Sequence, residues 1–146
     1  MTDVEKTCEK EITELHKFFT DWYKGTIDKT DKKFSRFNEV LHKNFSLITP
    51  TGEKISRDRI LSLVKKSYGI NKNMEPPFHI WIENFNLEYK DKEIILATYE
   101  EWQKNNGKTT GRISSVLFQQ KEEKPNNLVW VHVHETWLPG KNPSES

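Results

Sequence analysis

At Phe78 the spacing of apolar residues changes from a period near 3.6 to a period of 2, dividing the chain into a helical half and an extended half. Before that point Val4, Cys8, Ile12, Leu15, Phe19 and Trp22 recur three and four apart, and Phe18 and Tyr23 widen the stripe. The pattern predicts a helix over residues 3–24 that stops at Gly25. Glu5, Glu9 and Glu11 lie toward its start and Lys17 and Lys24 toward its end, the order that the helix dipole favours. Phe34, Phe37, Val40 and Leu41 predict a short second helix that ends near His42. Residues 45–48 then read as a strand and residues 49–52, Thr-Pro-Thr-Gly, as a turn. A third helix follows from an N-cap at Ser56, with Ile60, Leu61, Val64 and Tyr68 as its stripe. Residues 71–77 form a loop in which Pro76 and Pro77 forbid regular structure.

Beyond the change of period, four extended stretches cover residues 78–89, 93–103, 110–120 and 128–138. Their connections are hairpin-like, and the pair Asn106-Gly107 is the strongest turn signal in the chain. Helices first and long antiparallel strands afterwards define an α+β fold with the helices on one face of a curved sheet. A helix of about 22 residues is roughly 33 Å long, enough to cross and cover such a sheet. The reading is a single domain over residues 1–138 and a flexible polar tail over 139–146.

Composition narrows the function classes. Hydrophobic residues make up only 34% of the chain and charged residues 31%, yet there are eight Phe, five Trp and four Tyr, which disordered chains lack. Lys and Arg number 23 against 22 Asp and Glu, so no charge excess points to nucleic acid or to an anionic membrane surface. The single Cys8 excludes an internal disulfide and a Cys-based zinc site, and no apolar run approaches the length of a membrane span. The acidic opening, Met-Thr-Asp-Val-Glu-Lys, does not match a signal peptide, and the expectation is a cytoplasmic protein.

Several stretches resemble one superfamily. Residues 12–23 (Ile-Thr-Glu-Leu-His-Lys-Phe-Phe-Thr-Asp-Trp-Tyr) resemble its opening helix, and residues 45–52 its short strand and turn. Residues 111–118 (Gly-Arg-Ile-Ser-Ser-Val-Leu-Phe) resemble its penultimate strand, and residues 131–136 (Val-His-Val-His-Glu-Thr) its last. This is the nuclear transport factor 2-like (NTF2-like) superfamily, which includes SnoaL-like and DUF4440 domains and ketosteroid isomerases. The final strand is also similar to that of the calcium/calmodulin-dependent kinase association domain. The resemblance implies a cone-shaped α+β fold, a pocket at the wide end between the opening helix and the concave face, and homodimers formed through the sheet. It implies no ketosteroid isomerase activity. Thr49 stands where that enzyme's catalytic Asp precedes the corresponding Pro, and Phe19 stands near its oxyanion-binding Tyr, with Tyr23 a turn away.

The residues that could carry chemistry are few. His132 and His134 are two apart in a predicted strand and share a face with Trp130; imidazole is the side chain suited to proton exchange near neutral pH. A hydrogen-bonded structural role suits the pair equally, and no third ligand at recognisable spacing suggests a metal. Glu100 and Glu101 are adjacent in a strand, so one of them faces the helices; periodicity does not choose, and the resemblance favours Glu100. Arg112 would pair with one of these carboxylates or hold an anionic ligand. Phe19, Tyr23, Trp102, Arg112 and Trp130 are the expected pocket lining; His16 is expected in solvent and Cys8 in the core. Residues 74–77 could form a lid. No cofactor fingerprint is present. Three functions follow in order: binding of a small molecule in the cone, homo-oligomerisation through the sheet, and a lyase, isomerase or hydrolase using His132 or His134 with Glu100 as acid and base.

Overall fold

The computed structural model describes residues 1–144. Helix α1 spans Asp3–Lys24, where the stripe predicts it. Thr2 and Glu5 close a capping box at its start, and Gly25 adopts the left-handed φ of 69° that ends it. The second helix, α2, is Asp31–Asn38, starting three residues before its first apolar residue because the Thr30 hydroxyl accepts from the Lys33 N–H. It stops short of the expected His42, and strand β1 takes Leu41–Ile48. A three-residue strand β2, Lys54–Ser56, precedes α3, Arg57–Lys66, whose cap is Ser56 as expected. The four long strands are β3 (His79–Asp91), β4 (Ile94–Asn105), β5 (Lys108–Gln120) and β6 (Leu128–Trp137).

The six strands form one sheet in the order β2-β1-β6-β5-β4-β3. Neighbours are antiparallel except β1 and β6, which run parallel, so the last strand returns to the middle of the sheet beside the first. Asn106 and Gly107, both at positive φ, turn β4 into β5. Register breaks between Glu83 and Asn86 in β3, and beside Phe118 where β5 meets β6, bend the sheet.

The helices cover its concave face. Cys8, Ile12, Leu15, Phe18 and Trp22 of α1 pack with Phe34 and Phe37 of α2 against Ile95, Ala97, Val116, Phe118 and Trp130. The Trp22 indole N–H donates to the Val64 carbonyl oxygen at 2.8 Å and the Tyr68 hydroxyl to that of Ile27 at 2.6 Å, which fixes α3 beside α1. At one end Glu11, with no exposed surface, accepts from Arg36 (2.8 and 3.2 Å), Asn126 (2.8 Å) and the Trp130 indole (2.9 Å). A buried carboxylate needs that degree of saturation to be tolerated.

The segment after β6 turns back along β5: the Leu138 N–H donates to the Gly111 oxygen, the Gly111 N–H to the Lys141 oxygen, and the Lys108 ammonium to the Pro143 oxygen. The tail expected over 139–146 is in this way hydrogen-bonded through Pro143, and residues 145 and 146 lie outside the described residues.

Gly111 is opposite Trp102, and a Cβ there would sit 2.8 Å from the indole ring. Gly111→Ala should cost about 1–3 kcal/mol in urea unfolding. The double variant with Trp102→Leu should recover most of that loss, because the two sites couple through one contact. Equal losses in both backgrounds would show that the ring is not the obstacle.

Candidate functional site

A cavity of about 200 Å³ lies between α1, α3 and the concave face of the sheet. Its walls are mostly apolar: Leu15, Phe19, Phe37, Leu41, Phe45, Leu47, Ile60, Val64, Ile80 and Val133. Its polar groups come from α1 and three neighbouring strands: His16 and Tyr23, then Tyr99, Glu101 and Gln103 on β4, Arg112 on β5 and Glu135 on β6. Strand alternation puts them there. Ile95, Ala97, Tyr99, Glu101 and Gln103 share the inner face of β4, while Leu96, Thr98, Glu100 and Trp102 take the outer.

Two ion pairs organise the polar end. The His16 Nδ1–H donates to the Ile12 carbonyl oxygen at 2.7 Å, and Nε2 faces Glu101 Oε1 at 3.0 Å. Both ring nitrogens meet acceptors, so the imidazole is held as imidazolium. Burial alone would lower the His16 pKa, but the Glu101 charge and hydrogen bond reverse that and raise it. Burial likewise pushes the Glu101 carboxyl up. The facing His16, then Arg112 and the Gln103 amide, which donates at 2.6 Å, outweigh it and hold Glu101 at about 2. Glu135 is treated differently. Burial and the charge of Glu101 push it up to about 7 in spite of Arg112, whose Nη1 donates to it at 3.1 Å. Arg112 also lies over the Trp137 ring, 4.6 Å from its centre, and its Nε is buried without a partner. Burial, followed by the Glu101 charge, pushes the Tyr23 and Tyr99 phenols upward, so both remain neutral donors.

Of the residues expected from sequence, Phe19, Tyr23, Arg112 and Trp130 line the cavity. Trp130 does so by way of the irregularity in β6. The break in register between Trp130 and His132 returns Trp130 to the inner face with Val133 and Glu135. His132 and His134 consequently face the other side, His132 bonded through Nδ1 to the Ser46 hydroxyl at 2.9 Å and His134 exposed. Glu100, expected inside, is on the outer face, where it accepts from the Trp102 indole at 3.0 Å. Trp102, expected in the lining, shares that face and covers Gly111. His16, expected in solvent, is 4% exposed. Arg112 pairs with Glu135 rather than with Glu100 or Glu101. Cys8 is in the core, its thiol pushed up to about 11 by burial and then by Glu11 and Glu5. Residues 74–77 are outside the lining and meet the β4–β5 turn, where the Asn106 N–H donates to the Met74 sulfur. Among the described residues, no cluster of three or more His, Cys, Asp or Glu is placed to hold a metal ion.

His16, Glu101 and Glu135 were the residues missed. His16 is four residues from Ile12 and three from Phe19, so its place on the apolar stripe was a usable signal. Nothing local distinguishes Glu101 from Glu100.

An α+β cone whose helices close one face of a curved sheet over a polar-ended cavity defines the NTF2-like fold. A solved NTF-2 like protein of unknown function from Pseudomonas aeruginosa matches 90% of this chain and 98% of its own at 21% identity, with a TM-score of 0.78. The S. rosetta CaMKII hub matches 91% of this chain and 95% of its own at 12% identity, with a TM-score of 0.69. Within that fold, residues 8–139 match the sucrose-6-phosphate phosphohydrolase C-terminal family, and the chain belongs to that family. Sucrose-phosphatase 2 of Nicotiana tabacum is 24% identical over 137 residues. Those cover 93% of this chain and 32% of that protein, so the chain spans about a third of its relative's length.

Glu101→Gln should lower stability by about 3–5 kcal/mol at pH 7, since it leaves His16 buried without its counter-charge. The Glu101 carboxyl is depressed, so its contribution is present above its ordinary pKa of 4.5 and is lost as pH falls toward 2. The difference between variant and parent should therefore shrink over that window in urea unfolding. Glu100→Gln should stay within about 0.5 kcal/mol of the parent. Equal costs for the two variants would contradict the assignment of Glu101 to the inner face.

Proposed function

We propose that the domain binds a small molecule in the cone cavity, with an apolar body against Phe19, Phe37, Phe45 and Val133 and one polar group at the Glu101, Arg112 and Glu135 end. The observation that carries this reading is the buried set of charged groups on one wall of an otherwise apolar space. Folding alone gains little from burying four ionisable side chains beside a void, whereas a ligand gains orientation from them. A phosphorylated disaccharide, with hydrogen-bonding groups on every side, does not suit walls of Phe, Leu and Val or a volume near 200 Å³. The ligand proposed is consequently not the one in the relatives' name.

A second reading concerns assembly. The outer face of the sheet carries Leu96, Leu117 and an Ile113 that is 41% exposed, beside the stacked rings of Trp81 and Trp102. Among the described residues no helix covers these side chains, and the likeness to a kinase hub supports self-assembly, for which this face offers the apolar surface of a homodimer. Binding and assembly use opposite faces and are compatible. Among the described residues, no helix is long and apolar enough to cross a membrane.

A panel of monocyclic compounds, each with a single polar group, tests the first reading by thermal shift. A member at one hundred times its Kd should stabilise by about 2.7 kcal/mol and raise Tm by roughly 5–10 °C. Val133→Phe, which fills the cavity, should remove that response while staying folded. A panel that moves Tm equally in both proteins, or in neither, would sink the reading.

For assembly, sedimentation of the parent at micromolar concentration should show a dimer, and Ile113→Lys with Leu117→Lys a monomer. A monomeric parent would refute it.

A further inference from the structure

The polar end of the cavity has a charge balance that selects among ligands. Two acids and two bases converge there, and they do not cancel equally. His16 and Glu101 form a closed pair, with both imidazole nitrogens and both carboxylate oxygens engaged. Arg112 and Glu135 form an open one. The guanidinium spends one hydrogen bond on Glu135, rests its face on Trp137 and leaves Nε without a partner. A guanidinium offers five donors, arranged to meet the two oxygens of a carboxylate. Once Glu135 takes up a proton, Arg112 loses its hydrogen-bonded counter-charge at the end of an apolar space, and the nearby anion left to it is Glu101, which is already paired with His16.

We infer that the ligand of this cavity is a monocarboxylate with a compact apolar body, bound through Arg112, and that Glu135 becomes protonated as the ligand takes its place on the guanidinium. The inference rests on the cavity being a ligand site, as proposed above, and adds the ligand's chemical class. Two alternatives fit less well. An ammonium ligand would have to sit beside Arg112 and the protonated His16. A neutral ligand would leave the guanidinium without a hydrogen-bonded counter-charge whenever Glu135 is protonated.

The groups that face Glu135 set the direction of the pH dependence. They are Arg112 from β5, Glu101 and Tyr99 from β4, and His16 and Tyr23 from α1; Val133 and Trp137, its neighbours on the inner face of β6, carry no charge. Above about pH 7 Glu135 ionises, occupies Arg112 itself and repels a second carboxylate. Binding of the ligand anion then requires uptake of one proton, and its affinity should fall about tenfold per pH unit from pH 7 to pH 9.

The experiment is calorimetry on the 146-residue chain with butanoate, 4-methylpentanoate and phenylacetate, each beside its amide and its matching amine. At pH 6.5 at least one carboxylate should bind ten times or more tightly than its amide, and no amine should bind. At pH 8, titrations in two buffers of different ionisation enthalpy should report uptake of close to one proton. Glu135→Gln should bind the same carboxylate with little dependence on pH, and Arg112→Gln should lose the preference for carboxylate over amide. The buffer measurement needs no variant, so a misfolded Glu135→Gln protein leaves the test intact. Amides that match or exceed the carboxylates across the pH range would overturn the assignment of class while leaving the cavity a binding site. So would carboxylate binding without proton uptake, or a preference for amines. If neither these compounds nor the monocyclic panel bind, the cavity reading falls with it.

Discussion

Helix α1 is fixed to the sheet by two buried carboxylates, and the rest of the structure depends on where they hold it. At one point α1 supplies the acid: Glu11 collects donors from α2, from the loop before β6 and from the Trp130 indole. Five residues along, about 7.5 Å of helix rise, the sheet supplies the acid and α1 the base, through Glu101 and His16. Apolar packing alone would let a helix slide or roll on a curved sheet at small cost. Two saturated charge contacts of opposite sense leave one position and one rotation. That position keeps Phe19 and Tyr23 over the concave face and holds the cavity open beneath them.

The same physics makes the two inner-face carboxylates unequal. Glu101 and Glu135 are both more than nine-tenths buried, and each raises the cost of ionising the other. Glu101 has an imidazolium and an amide dedicated to it and remains ionised. Glu135 has only Arg112, which feels both acids. Burial therefore produces one acid that is a fixed anion and another that changes charge near neutrality. An arrangement of this kind gives the cavity a charge that a ligand can alter. The family match and the likeness to NTF2-like proteins define the frame in which this occurs, while the residues within the cavity decide what it can hold.

The frame was largely legible in the sequence. The stripe from Val4 to Tyr23 marks α1 from end to end, and Asn106-Gly107 marks the turn that sets the β4–β5 register. The three-residue β2 has no period to read, and α2 begins at a hydroxyl cap rather than at its first apolar residue. Parity correctly kept His132 and His134 on one face of β6. It failed for Trp130, because an irregularity in pairing reverses the alternation and no residue type announces it. Between Glu100 and Glu101 a two-residue period has no preference, and the selection is made by a histidine 85 positions away. His16 itself was readable: a polar side chain on the apolar stripe of a core helix requires a buried partner. The site was thus legible as a list of candidates and not as an assembly, since its members come from α1, β4, β5 and β6.

The unequal ionisation of two neighbouring buried carboxylates is the centre of this account, and site-resolved carbon NMR of the glutamate carboxyls across a pH titration measures it directly. The expected result is one inner-face carboxyl, Glu101, still ionised near pH 3, and the other, Glu135, titrating near pH 7. Both groups titrating together near pH 4.5, as solvent-exposed glutamates do, would contradict it.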